Sequence, residues 1–200
     1  MRIIYSIPNT LNEIHLAVET VRHGLELTLE HPRQEDYYGE VFHSYPNLIL
    51  IAKYNKKIIG VVLSSKNPFK PENSGEILIG ELFVHPDFQR MGIGQHLLMK
   101  LEINAKELGF IRLIVGSVKG AENFYLKCGF KANLQIQIEN GECLDNLKKI
   151  NPNYPIKQAE IENGWTRFMI ETEKLVPDLE SKYHEQYENL YAFYVFTKDL

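Results

Sequence analysis

Only two cysteines stand in this chain, Cys128 and Cys143, and neither belongs to a C-x-x-C pair. A disulfide framework and a cysteine-built metal site are excluded on that ground, leaving two reduced thiols. No apolar run reaches the length that crosses a bilayer. Met1–Pro8 is too short, and too soon interrupted by Pro8, for a secretory leader. The expectation is a cytoplasmic protein with no membrane partner. A basic excess is missing too: 22 Lys+Arg face 26 Asp+Glu, a net charge of −4. That balance excludes nonspecific binding to nucleic acid, which needs a basic surface. Residues 1–140 carry 15 charges of each sign, and residues 141–200 hold the remaining 7 basic and 11 acidic ones. The C-terminal part is therefore either a solvated acidic face or a surface for a cationic partner. His15, His23, His31, His43, His85, His96 and His184 form no ligand-like cluster, so no metal is expected. Repeats and low-complexity tracts are absent as well.

What is present is enough for a core. The chain has 200 residues and 44% of them are hydrophobic, which suits one domain with an elaboration. Arg2–Ser6 reads as a strand. T-L-N-E from Thr10 to Glu13 fits a capping box, and Leu11, Ile14, Val18, Val21 and Leu25 follow at helical spacing. Leu25, Leu27 and Leu29 then alternate, which blurs the end of that helix. Arg33–His43 predicts a second helix, stopped before Pro46. Leu48–Tyr54 and Lys57–Ser65 are β-branched runs separated by N-K, a hairpin pattern. Asn67–Gly75 is a loop, and Glu76–His85 is the next strand. Ile111–Val118, Lys131–Glu139, Trp165–Thr172 and Leu190–Thr197 read as further strands. Ala121–Cys128, Leu144–Ile150 and Pro177–Gln186 read as helices. Helices and strands alternate around one mixed sheet, an α/β class.

One stretch combines three signals. A strand ends at Val84, a turn carries Gln89, Arg90, Met91, Gly92, Ile93 and Gly94, and a helix then buries Leu98, Leu101, Ala105 and Leu108. Amides at a helix start have no internal acceptor, the dipole is positive there, and glycine admits a phosphate to the backbone. The turn is thus an anion cradle. It is not a Walker loop, since no G-K-S/T follows, nor the G-x-G-x-x-G fingerprint, since Leu97 stands three residues after Gly94.

The cradle is followed by A-E-N-F-Y-L-K-C-G-F, Ala121 to Phe130. Gln89, Gly92 and Gly94 fill the Q/R-x-x-G-x-G/A pattern of the GNAT N-acetyltransferases. Ala121, Phe124, Tyr125, Gly129 and Phe130 match that family's second motif. The chain resembles the family over residues 1–140, most sharply over 81–130. The resemblance implies a GNAT-like acyl-CoA fold with acetyl-CoA as cosubstrate and an amine as acceptor. It implies that the main chain of Leu82, Phe83 and Val84 runs beside the pantetheine arm. Amides from Arg90 to Gln95, including those of Met91 and Ile93, would hold the pyrophosphate, with Arg90 adding charge. Asn123 and Tyr125 would line the thioester end.

A tyrosine hydroxyl is protonated near neutral pH, so Tyr125 suits protonation of the departing sulfur. Glu81 is the carboxylate of the strand's last stretch and the candidate base. Simple alternation turns it away from Leu82 and Val84, unless a bulge reverses that. Leu78 stands where some relatives carry a catalytic glutamate, so a water chain remains an alternative route for the proton. Val118 stands where many relatives carry asparagine. His85 reads as a turn residue, and Cys128 as core. Trp165, Tyr191, Phe193, Tyr194 and Phe196 also read as core.

Relatives close with a two-stranded hairpin. Lys131–Glu139 and Leu190–Thr197 would supply it here, with residues 141–185 inserted between them. The insertion would cover the acceptor site or form a homodimer contact. The expected activity is direct acetyl transfer to a small-molecule primary amine. An acyl-CoA sensor without turnover, or transfer to a protein N-terminus or lysine, stand as alternatives.

Overall fold

The first helix starts where its residue types place it. Thr10 takes an extended backbone, and its hydroxyl accepts from the amide of Glu13 at 3.3 Å. Glu13 in turn accepts from the amide of Asn9 at 2.8 Å, so the predicted box closes one residue early. The same carboxylate pairs with the Lys53 ammonium. In the computed structural model, residues 2–25, 33–116, 120–139, 144–151, 153–162, 165–187 and 189–200 are described. The expectations placed on Leu27, Leu29, His31, Val118 and Cys143 lie outside them. The chain forms two compact units, residues 1–114 with Asp199 and Leu200, and Val115–Lys198.

The first unit holds β1 (Ile4–Ser6), α1 (Leu11–Gly24), α2 (Arg33–Ser44), β2 (Ile49–Tyr54), β3 (Lys57–Lys66), β4 (Glu76–Val84), α3 (Ile93–Glu107) and the start of β5 (Arg112–Gly116). The strands lie in the order β1-β2-β3-β4-β5. Pairing from β1 through β4 is antiparallel. The predicted N-K hairpin is present, with Asn55 and Lys56 both at positive φ (49° and 64°). That matches the twist of paired strands. Ile111 N donates to Gly75 O at 2.8 Å, so β5 starts beside the start of β4.

Alternation in β3 divides the core between two faces. Val61 and Leu63 pack with Ile14, Val18, Val21, Tyr38 and Phe83 under α1 and α2. Each fully buried side chain of this size stabilises by about 1.5–3 kcal/mol. Ile93, Leu97, Leu98, Leu101 and Ala105 of α3 are also buried. Three leucines expected inside are not: Leu11, Leu25 and Leu108 are exposed at helix ends, where the helical face runs out. Leu48 lies in a 3-10 turn started by Pro46 rather than in β2.

The second unit holds α4 (Glu122–Lys127), β6 (Lys131–Glu139), α5 (Leu144–Ile150), β7 (Ile156–Glu162), β8 (Trp165–Glu173), α6 (Leu179–Gln186) and β9 (Leu190–Asp199, to Lys198). Its strands run β9-β6-β8-β7 and pair antiparallel. Leu134, Ile136, Phe168, Ile170, Leu147, Leu179 and Tyr183 form one core. The Tyr183 hydroxyl donates to Leu147 O at 3.2 Å. Residues between β6 and β9 thus supply much of this core. Strand β7 was not expected. Its register shifts between Gln158 and Glu160, so Ile156 and Ile161 stand five residues apart rather than at an even spacing. The aromatic run of β9 also differs from expectation: Phe196 is fully buried, whereas Tyr191 and Phe193 are exposed. Strand alternation, not aromatic content, decides which ring is core. Trp165 is half-buried, with its ring centroid 5.5 Å from that of Tyr191.

Candidate functional site

Pro86 has no amide hydrogen and cannot extend the ladder, so β4 ends as it reaches the turn. His85 N still donates to Ile59 O at 2.8 Å. The His85 ring accepts from Asp87 N at 3.3 Å and caps the short 3-10 turn Pro86–Phe88. This is the turn role expected of His85. Gln89 Nε2 donates to Val84 O at 3.1 Å, which ties the turn back to the strand end. Arg90 (φ 60°) and Gly92 (φ 78°) are left-handed. Two such residues reverse the chain into α3.

Gly92 is the N-cap of α3 and offers no side-chain oxygen. The first helical bond runs from His96 N to Gly92 O at 2.9 Å. The amides of Ile93, Gly94 and Gln95 therefore point out of the helix without an internal acceptor, at the positive end of its dipole. A Cβ built on Gly92 would meet nothing within 4 Å. The glycine is thus required for its φ and not for want of space. Gln89, Arg90, Met91 and Gln95 are exposed, while Ile93 and Gly94 are buried. Ile93 and Leu97 seat the helix start on Gly60 of β3. A Cβ there would lie 3.0 Å from Ile93 Cγ2 and 3.3 Å from Leu97 Cδ1.

The strand leading to this turn carries a bulge. Ser64 pairs with Ile79 and Leu63 with Glu81, which leaves Gly80 as the extra residue. Glu81 and Phe83 stand opposite Leu63 and Val61, on the α1–α2 face, and Leu82 and Val84 on the other. Glu81 keeps the orientation that simple alternation predicts, and the bulge instead re-phases residues 76–79. Phe83 is buried, and Leu82 and Val84 are half-buried. Gly24 at the end of α1 lies directly against the Phe83 ring.

Glu81 is mostly buried, and burial pushes its carboxyl above the ordinary glutamate range. No hydrogen bond or ion pair to it is formed among the described residues. Tyr38 of α2 faces it. Its ring is 5% exposed, its hydroxyl lies against Gly80, and burial followed by the Glu81 charge pushes the phenol well upward. The neighbouring Tyr37 hydroxyl donates to Ser65 Oγ at 2.7 Å. Sequence reasoning missed Tyr37, Tyr38 and Ser65. One signal was available: a glycine inside a strand pattern, Gly80, marks a bulge.

Asn123 and Tyr125 belong to the second unit. Asn123 is exposed on α4. Tyr125 is 6% exposed, with ring centroids of Phe124, Phe130 and Phe196 at 5.2, 5.7 and 5.5 Å. Gly129 (φ 84°) ends the helix as expected. The Cys128 carbonyl accepts from Lys198 Nζ at 2.8 Å. Glu81 through Gln95 thus form one continuous strand–turn–helix in the first unit, and the second-motif residues form an aromatic nest in the second. Among the described residues no group of three His, Cys, Asp or Glu could hold a metal. None of the described helices is long and apolar enough to cross a membrane.

Comparison with known proteins agrees with this geometry. The profile of the acetyltransferase (GNAT) family matches residues 18–130, which include the turn from Gln89 to Gly94 and the run from Ala121 to Phe130. No curated protein matches the sequence. Among solved structures, the PaiA N-acetyltransferase of Thermoplasma acidophilum, in complex with coenzyme A, is similar at 14% identity and a TM-score of 0.53. That match covers 84% of this chain and 98% of the other. A GNAT-family acetyltransferase of Staphylococcus aureus Mu50 is similar at 17% identity and 0.53, covering 84% and 98%. The IAA acetyltransferase of Bacillus cereus ATCC 14579 is similar at 20% identity and 0.51, covering the whole of both chains. At these identities the structural likeness is one of fold.

Proposed function

This chain belongs to the GNAT family of acetyltransferases, and from that premise we propose that it transfers the acetyl group of acetyl-CoA to the primary amine of a small molecule, by direct attack in a ternary complex. The observation that carries the reading is the uncapped start of α3 after Gly92, inside the stretch that the family profile matches. Unbonded amides at a positive dipole suit a pyrophosphate, and at Gly92 no side chain stands in front of them.

The donor supplies a thioester, a carbonyl already open to attack by a neutral amine. The chain's own residues divide the remaining work. Amides from Arg90 to Gln95 hold the pyrophosphate, and the exposed Arg90 guanidinium adds charge. The Leu82–Val84 main chain lies along the pantetheine arm, and strand amides stabilise charge building on the carbonyl oxygen. Glu81 takes the proton that the acceptor ammonium must lose. Its raised carboxyl pKa brings it closer to that of the amine. Tyr125 gives a proton to the departing sulfur, and Asn123 lines the thioester end. Residues 141–185 are assigned to acceptor choice or self-association.

The test is release of free CoA thiol against a panel of small amines and of peptides bearing a free N-terminus or lysine, beside a direct measure of CoA binding. Turnover on small amines supports the reading. Turnover on peptides alone would assign a protein acceptor. CoA binding without turnover on any amine would make the chain a sensor.

A further inference from the structure

Three observations in the first unit meet at one point on β4. The bulge leaves Gly80 unpaired between Ile79 and Glu81. The Tyr38 hydroxyl occupies the place that a Cβ on residue 80 would need. The Glu81 carboxyl faces the same side, close enough for its charge to act on the phenol. Tyr37, one residue earlier on α2, has its hydroxyl engaged with Ser65. Neither Tyr38 nor Glu81 forms a side-chain hydrogen bond among the described residues. Both residues are largely buried and neither is bonded to a described residue, yet neither the hydroxyl nor the carboxylate is sealed from solvent, so a water can reach and complete the pair. A bulge that needs glycine, beside a hydroxyl that fills the glycine's space, holds that pair in place at a conformational cost.

We propose that Tyr38 is the positioning residue of Glu81: its hydroxyl donates to one bound water, and that water donates to the Glu81 carboxylate and accepts the proton released by the acceptor amine. The proposal rests on the acetyl-transfer reading given above. The proton balance is simple. The acceptor ammonium loses one proton to the water, the water passes one to the carboxylate, and the phenol keeps its own. Burial keeps the phenol protonated at neutral pH, so it remains a donor throughout. Among the described residues no charged group pairs with the carboxylate. On α1, which meets β4 at Gly24 and Phe83, Arg22 is engaged by Glu35 and Glu19. On β3, Leu63 stands opposite, and Lys66 is turned to Tyr45 and Glu72. On β5, Arg112 is held by Glu76 and Asp199.

The test compares Tyr38→Phe, Glu81→Gln and the double variant in the full chain. Tyr38→Phe should fold, bind CoA as the wild type does, and lower kcat roughly ten- to hundredfold with little change in KM. The double variant should be no slower than Glu81→Gln alone, because the hydroxyl acts through the carboxylate. Carbon-13 NMR titration of Glu81 supplies a readout that needs no turnover. Loss of a donor to the charged form should raise its pKa by about one unit in Tyr38→Phe. Additive losses in the double variant, or an unmoved Glu81 titration, would overturn the proposal. Failure of the wild type to turn over any amine would instead defeat the acetyl-transfer reading, and the titration would still decide whether Tyr38 acts on Glu81.

Discussion

Gly60 and Gly39 offer the same substitution with opposite expected signs. In Gly60→Ala the new methyl would lie 3.0 Å from Ile93 Cγ2, 3.3 Å from Leu97 Cδ1 and 3.3 Å from Ala52 Cβ. All three contacts are tighter than packed carbons usually make, so a neighbour must give. Ala52 belongs to the sheet and is fixed, so relief comes from the start of α3 lifting by a few tenths of an ångström. Overpacking of this kind costs about 1–3 kcal/mol, and the gain from replacing glycine in a strand offsets about 0.5–1 kcal/mol. The net expectation is a loss of about 1–2 kcal/mol, or roughly 3–6 °C in Tm for a chain of this size. The lifted helix start carries the amides of Ile93 and Gly94, so CoA affinity should fall about fivefold, ~1 kcal/mol. In Gly39→Ala, on α2, the methyl would lie 3.8 Å from Leu11 Cδ2 of α1, an ordinary contact. That variant should gain up to about 1 kcal/mol and leave CoA affinity unchanged. Thermal melts and isothermal titration with CoA read both quantities. A Gly60→Ala protein with unaltered stability and affinity would refute the seating of α3 on Gly60.

Three further outcomes are expected. The Glu81 carboxyl is raised by burial, so the stability it contributes is present below its unfolded pKa, about 4.3, and is lost as pH rises through the folded value. Glu81→Gln should therefore match the wild type in urea midpoint at pH 4 and exceed it at pH 7.5, while losing activity; a variant weaker at pH 7.5 would contradict the unpaired burial of this group. Thr10→Ala removes the hydroxyl that accepts from Glu13 N and should lower stability by about 1 kcal/mol, read by urea unfolding. Gly92→Ala meets no atom but forces a side chain to φ 78°, so it should cost about 1–2 kcal/mol by the same assay and weaken CoA binding.

The strand–turn–helix from Glu81 to Gln95 was legible because every part of it is local. Gly92 needs only its own φ, Pro86 only its missing hydrogen, and the amides after Gly92 only the start of a helix. Thr10, the N-K turn and Gly129 were legible for the same reason. The failures share a different one. Strand β7 was hidden because its bulge breaks the even spacing by which strands are recognised. Leu11, Leu25 and Leu108 fit a helical stripe, yet at the helix ends they are left partly exposed. Tyr191 and Phe193 were assigned to the core by residue type, whereas burial in β9 follows its pairing with β6.

Within the candidate site the same division holds. Residue order alone identified the family, the turn and helix start from Gln89 to Gly94 and the aromatic motif around Tyr125, since each is written in residues a few positions apart. Tertiary structure decided the surroundings of Glu81. Its face depends on alternation across β4, its burial on α1 and α2, and its neighbour Tyr38 comes from 43 residues earlier in the chain. Periodicity records which residues share a face of their own element. It carries no record of which distant hydroxyl that face will meet, and the glycine that makes room for Tyr38 takes its meaning only when α2 packs on β4.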